Sequence, residues 1–228
     1  MLSEAEWEAL RLSFRIASVG VASALPFAVA VAYVLARVRL PGRTLLDGVV
    51  HLPLVLPPVV IGYLLLVTFG TRAPVGGWLL ETFGIRLVFD WKGAALAVAV
   101  VTFPFTVRAV RLSLEAADPE LETAARTLGA GRLDVFWTIT LPQALPGIIA
   151  GAITAFAAGL GEFGAIITFV SNVPGETRTL PLAIYTAIQT PGGEARALRL
   201  AMLSITLALA GLALAELAAR RVRRGRGG

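Results

Sequence analysis

The chain has 228 residues, 57% of them apolar and only 15% charged, with a mean hydropathy of +0.79 and a net charge of +5. A soluble domain is about 45–50% apolar and about 25% charged, so one core of this size cannot bury the excess, and lipid must replace water over much of the surface. There is no Cys and a single His, His51, which excludes disulfides, thiolate metal sites and cysteine nucleophiles and leaves little for imidazole chemistry. The positive charge sits largely on Arg beside apolar ends, so nucleic-acid binding is a poor reading.

The first residues carry Glu4, Glu6 and Glu8 where a cleaved signal would be basic. A crossing helix needs about 20 mostly apolar residues. Such stretches are expected at 14–36, 47–69, 93–112, 144–169 and 199–219, which predicts an all-α integral membrane protein with five transmembrane helices. It reads as one domain over 10–219, followed by an Arg-rich tail at 220–228. The second span opens on Pro53-Leu-Val-Leu-Pro57-Pro58, which frees backbone groups and predicts a kink. His51, just before it, reads as an interfacial residue. The third is short, but Lys92, Arg108 and Arg111 can snorkel to the interfaces and extend it. In the fourth, Gly147, Gly151, Ala155 and Gly159 recur every four residues, a spacing that lets helix backbones approach closely. That approach serves either a contact within one subunit or one between subunits.

An odd number of spans puts the termini on opposite sides. Arg37, Arg39 and Arg43 in the first connection then share a side with the tail, and the positive-inside rule makes that side cytoplasmic. The N-terminus is therefore expected outside and the C-terminus inside. The external segments, 70–92 and 170–198, are rich in Gly and Pro, with Trp78 and Trp91 suited to the headgroup level. Leu180 to Thr190 predicts a short interfacial helix capped by Thr179.

Between the third and fourth spans, Asp118-Pro-Glu-Leu-Glu-Thr-Ala-Ala-Arg-Thr-Leu-Gly129 carries start and stop signals for a cytoplasmic helix. Asp118 suits an N-cap and Pro119 the first helical position. Glu120 and Glu122 lie near the positive end of the dipole and Arg126 near the negative end. Gly129 can take the left-handed conformation that ends the helix. Leu121, Ala124, Ala125 and Leu128 share one face. That face fits either a connector packed on its own bundle or a helix that enters a groove on a partner.

Ala124-Ala125-x-x-x-Gly129, followed after nine residues by Ile139-x-Leu141-Pro142, resembles the cytoplasmic loop of binding-protein-dependent ABC importer permeases. The resemblance covers residues 10–219. It implies the ABC transmembrane type-1 fold, with this segment as the coupling helix held in a cleft of the ATPase subunit. Asp118, Glu122, Ala124, Ala125, Leu128, Gly129, Ile139, Leu141 and Pro142 are the coupling residues it implies. Where the family has Glu-Ala-Ala, this chain has Thr123, with Glu122 one residue earlier. Gly161-Glu-Phe-Gly-Ala165 is similar to a segment of oxyanion permeases. Its continuation, through Ile167-Thr-Phe-Val-Ser-Asn172 to Gln189-Thr-Pro-Gly-Gly-Glu194, most closely resembles molybdate permeases.

A dianion cannot cross bare hydrocarbon, so a pathway must supply donors. Thr102, Thr106, Thr154, Thr168, Ser171 and Asn172 offer them, unless the hydroxyls bond to carbonyls of their own helices. Glu162 is the one acid deep in an apolar run and reads as structural or gating, with Arg178 as a candidate partner. Together these features predict a homodimeric molybdate permease working by alternating access, with two ABC ATPase subunits and a periplasmic binding protein. No cofactor is expected on this chain, ATP and Mg being held by the partner subunits. It shows no Walker-type phosphate loop and no nucleophile–base pair, so it is not expected to be an enzyme. The rivals are a sulfate, thiosulfate or tungstate permease of the same architecture, or an ion-coupled transporter without an ATPase.

Overall fold

The structure is a computed structural model that describes residues 3–38 and 41–224, with side chains described as far as Gly211. Arg39 and residues 225–228 of the tail lie outside the described residues, as do the side chains of 212–224. Among the described residues there are helices and turns and no strand.

Helix α1, Glu4–Arg37, begins where Ser3 and Glu6 exchange hydrogen bonds. The Glu6 N–H donates to Ser3 Oγ (3.3 Å) and the Ser3 N–H to Glu6 Oε2 (2.7 Å), satisfying two donors that a helix start leaves open. Its buried stripe is rich in small residues, Ala9, Ala17, Gly20, Ala28 and Ala32 among them. α1 therefore lies close on α5, Trp91–Glu115: a Cβ on Gly20 would stand 2.6 Å from the Ala95 carbonyl oxygen. Helix α8, Leu141–Leu160, covers α5 from another side. A Cβ on Gly147 would stand 2.5 Å from the Ala109 carbonyl oxygen, and one on Gly159 2.7 Å from Val98 Cγ1. The four-residue stripe of α8 thus seats that helix on α5 of the same chain, and α5 is the centre of the bundle.

The second expected span, 47–69, is not straight. It forms α2, Arg43–Val55, and α3, Pro58–Phe69, which meet at 113°. Pro57 and Pro58 both lack the N–H that would continue the ladder, so the chain turns a corner rather than kinking. The 12 residues of α3 rise about 18 Å, short of the roughly 30 Å hydrocarbon core. Instead of snorkelling, Arg111 ties α5 to α2: its Nη1 donates to Asp47 Oδ1 (2.8 Å) and its Nε to Glu115 Oε1 (2.8 Å). Helix α4, Pro74–Phe83, stands in the first segment expected outside; Gly84, at φ +66°, ends it.

The fourth expected span, 144–169, is likewise divided. A continuous helical run starts at α7, Arg132–Val135, passes through a π-helical turn at Phe136–Thr140 and continues as α8. Pro142 lacks the N–H that would reach Thr138, and its ring crowds that carbonyl, which favours one turn of wider pitch just upstream. The run stops at Gly161, and α9, Gly164–Val170, follows in a new direction against α3. Beyond it, α10, Leu180–Gln189, packs on α1 and on α11, Glu194–Arg224. Thr179 precedes α10 but its side chain makes no cap hydrogen bond; Ser13 of α1 accepts from the Leu180 N–H instead (2.7 Å).

Among the described residues three helices, Glu4–Arg37, Trp91–Glu115 and Arg132–Leu160, are long and apolar enough to cross a membrane, and the bent pair α2–α3 would make a fourth. One end of the bundle holds Glu6, fully buried against Arg199 (3.2 Å), and Arg15 stacked 3.7 Å over the Trp91 ring. The other end holds Arg37, Glu115 and the segment 118–131.

Candidate functional site

That segment forms α6, Pro119–Thr127. Asp118 Oδ1 accepts from the Glu120 N–H (2.8 Å), and Pro119 takes the first position, where no donor is needed. Gly129, at φ +90°, turns the chain back so that the Ala130 N–H reaches the Ala125 carbonyl (3.0 Å). Thr123, where the resembled loop has Glu, turns its hydroxyl onto the Pro119 carbonyl (3.1 Å).

The helix sits on the bundle the opposite way round from an ordinary amphipathic helix. Its apolar face is exposed: Leu121 is 52% and Leu128 89% accessible, Ala124 is exposed, and Ala125 is half-buried. Its inward residue is the acid Glu122, only 7% accessible. Glu122 Oε1 accepts from Thr140 Oγ1 (3.0 Å) and lies 3.6 Å from Arg37 Nε, while Oε2 lies 3.7 Å from Arg126 Nη2. Glu122 therefore faces its own bundle, away from the exposed face of α6. The spacing of Leu121, Ala124, Ala125 and Leu128 gave the shared face but not its direction. Arg37 entered the sequence reading only as a topology signal and Thr140 not at all; each ends a different element remote from 122 in the chain, and only the fold joins them to Glu122.

Beside α6 a hollow of about 370 Å³ opens, lined by Leu121, Thr138, Ile139, Pro142 and Gln143. It brings α6, through Leu121, onto one surface with Ile139 and Pro142 of the second part of the loop motif. Ile139 is half-buried there and Pro142 exposed, while Leu141, which does not line it, is half-buried.

The residues read as a pathway fall into two groups. Thr102 and Thr106 are buried in α5 where α1 and α8 cover it, and Thr102 Oγ1 donates to the Val98 carbonyl (2.8 Å). The others, except Thr154 on α8, gather at α9. Glu162, buried, accepts from the Ala165 N–H (2.8 Å) and so fixes the break before α9. Thr168 Oγ1 donates to the Gly164 carbonyl (2.8 Å) and Thr154 Oγ1 to the Ala150 carbonyl (2.8 Å), each within its own helix. Ser171 ends α9 with φ +65° and is exposed. Arg178 does not pair with Glu162: its Nε donates to Asn172 Oδ1 (2.9 Å), and Asn172 Nδ2 donates to Thr186 Oγ1 (2.8 Å). Glu162 is held by backbone, and among the described residues it has no ion pair. No group of acids and histidines able to hold a metal occurs among the described residues.

The comparisons with known proteins agree with this architecture. The family described as binding-protein-dependent transport system inner membrane component matches residues 24–224. The chain is 58% identical over 228 residues, 99% of it and all of the relative, to the molybdenum transport system permease protein ModB of Escherichia coli K12. It is 53% identical to the protein of that name in Haemophilus influenzae, covering 96% of each chain. Identity with the sulfate transport system permease protein CysT of Escherichia coli K12 is 40%, over 72% of this chain and 58% of that one. Among solved structures, a chain of the bacterial alginate ABC transporter in complex with alginate pentasaccharide-bound periplasmic protein superposes with a TM-score of 0.76 at 19% identity, covering 96% of this chain and 80% of that one. One from the inward-facing methionine transporter MetNI gives 0.64 at 18%, over 95% and 99%. The fold is thus the one these ABC transporter chains share, and the chain belongs to the family of inner-membrane components of binding-protein-dependent transport systems.

Proposed function

We propose that the chain is the permease subunit of a molybdate importer, driven by ATP through two ABC ATPase subunits that dock on α6. The observation that carries the docking is the outward apolar face of α6 beside the hollow at Ile139 and Pro142. Exposed Leu128 and Leu121 have no use in water, and they fit a helix held in a partner's groove. In this reading Asp118 and Gly129 set the helix ends, while Ala124, Ala125 and Leu128 face the ATPase. Ile139, Leu141 and Pro142 shape the floor. The cargo is inferred from the relatives, which carry molybdenum transport in their names over the full length of this chain.

The membrane holds five crossings, with α11 as the fifth, the N-terminus outside and the α6 end inside, beside the Arg-rich tail. Two copies form the pathway. The broad apolar face of α2 and α3, with Val49, Val55, Val59 and Tyr63 exposed, supports pairing with a second copy. A periplasmic binding protein delivers the oxyanion to the end that holds Arg178. ATP and Mg belong to the partner subunits, and this chain binds no cofactor. Thr168, Ser171 and Asn172 offer donors along the outer half of the path, with Thr102 and Thr106 uncovered as the bundle rearranges between outward- and inward-facing states. Glu162 acts by holding the break before α9 rather than by touching a dianion it would repel.

Uptake by the reconstituted complex with competing oxyanions tests the cargo. Molybdate uptake should be blocked by excess unlabelled molybdate and hardly by equal sulfate; equal competition by sulfate would reject the choice.

A further inference from the structure

The outward orientation of α6 leaves open what holds it. Its leucines contribute little to its seat on the bundle, Leu128 being 89% accessible and Leu121 52%, and Ala125 is only half-buried. What remains is polar and buried. The side chains of Glu122 and Arg37 are 10% and 18% accessible. Arg37 closes α1, and its Nη2 donates to the Ala117 carbonyl (3.5 Å) in the turn that leads into α6. Its buried Nε finds no hydrogen-bond partner among the described residues, so the Glu122 carboxylate 3.6 Å away is its only compensation. On the other side Thr140 closes the π-helical turn, with its hydroxyl shared between Glu122 Oε1 and the Val135 carbonyl (3.4 Å).

We propose that the buried Arg37–Glu122–Thr140 group is the joint through which a movement of α6 enters α1 and α8, with Glu122 a positioning residue. It rests on the reading that α6 docks on the ATPase, and adds how the push leaves α6. The Thr140–Glu122 hydrogen bond is charge-assisted and directional, and the Arg37–Glu122 ion pair is shielded from water, so a shift of α6 draws on the ends of both helices. Those are the helices whose glycines seat them on α5, so the displacement reaches the centre of the bundle. The π-helical turn is where α8 can take it up, since such turns absorb changes of register inside a helix. The same argument explains the displaced carboxylate: at 123 an acid would face outward, at 122 it faces the joint.

The test uses the complete complex with ATPase subunits and binding protein in proteoliposomes, reading ATP hydrolysed per molybdate taken up. Glu122→Gln removes the charge and Thr140→Val the hydroxyl at nearly constant shape. Each should raise that ratio by roughly 2- to 30-fold, the range for residues that carry coupling between distant sites, and Thr140→Ser should restore it. A fault of folding or assembly alone lowers hydrolysis and uptake together and leaves the ratio unchanged. An unchanged ratio in both variants overturns the joint; should Glu122→Gln fail to assemble, Thr140→Val decides. A cross-link from a cysteine at position 128 to the ATPase separates this from the docking reading. It should form with and without Glu122→Gln. Its loss in the variant alone would make Glu122 a docking residue and overturn the joint, whereas its absence from the otherwise native chain would reject the docking itself.

Discussion

Truncating Leu128 separates the stability of the chain from its assembly. The side chain is 89% accessible and lies at the C-terminal end of α6, so within the permease Leu128→Ala removes almost no buried surface. The cost to folding is at most about 0.5 kcal/mol, as for other surface substitutions away from special features. In a partner's groove the same truncation removes about three buried methylene equivalents, at about 0.8 kcal/mol each. Allowing for incomplete burial, about 2 kcal/mol is lost per site, which is roughly a 30-fold weaker association. Thermal unfolding of the purified permease in detergent measures the first quantity, and titration with the ATPase subunit the second. An unaltered melting temperature with a Kd raised by one to two orders of magnitude fits the outward face. A lowered melting temperature with unaltered Kd would refute the reasoning, because Leu128 would then belong to the permease's own core.

The glycines give a paired expectation. Gly147→Ala pushes a methyl to within 2.5 Å of the Ala109 carbonyl and should destabilise the bundle by about 1–3 kcal/mol, as overpacking does. Gly48→Ala in α2 meets nothing within 4 Å and should be neutral or stabilising by about 0.5–1 kcal/mol; equal melting shifts would contradict the α5–α8 packing. Ser13→Ala deprives the buried Leu180 N–H of its acceptor and should cost about 1–3 kcal/mol, visible as faster amide exchange at the start of α10. Glu162→Gln keeps an oxygen for the Ala165 N–H and should melt like the native protein, whereas Glu162→Ala loses the cap, at about 1–2 kcal/mol. Equal melting of the two would remove the capping role.

Local chemistry made some elements readable. Asp118, Pro119 and Gly129 bracket α6 because cap, missing donor and left-handed turn act within a few residues. The helix expected from Leu180 to Thr190 forms as α10, although Thr179 makes no cap hydrogen bond. Hydropathy was weaker where direction mattered. It counts apolar residues along 47–69 and 144–169 and cannot tell a straight helix from one that turns by 113° at Pro57 or breaks at Glu162. Pro57-Pro58 signalled an interruption, but its angle is set by α9, against which Gly62 packs so closely that a Cβ would stand 2.6 Å from the Ala165 carbonyl. Periodicity found the apolar face of α6, but facing inward or outward depends on Arg37 and Thr140, which lie 85 residues before and 18 after Glu122. The Arg178–Glu162 pairing failed because charge complementarity ignores nearer polar partners, here Asn172.

The absence of cysteine makes one measurement direct: a single cysteine placed at position 128 is the only thiol in the chain. An impermeant maleimide should label it in inside-out membrane vesicles and not in right-side-out ones, and bound ATPase subunits should protect it. Labelling from the outside, or labelling at the same rate with the ATPase bound, would contradict the assignment of α6 as the docking helix.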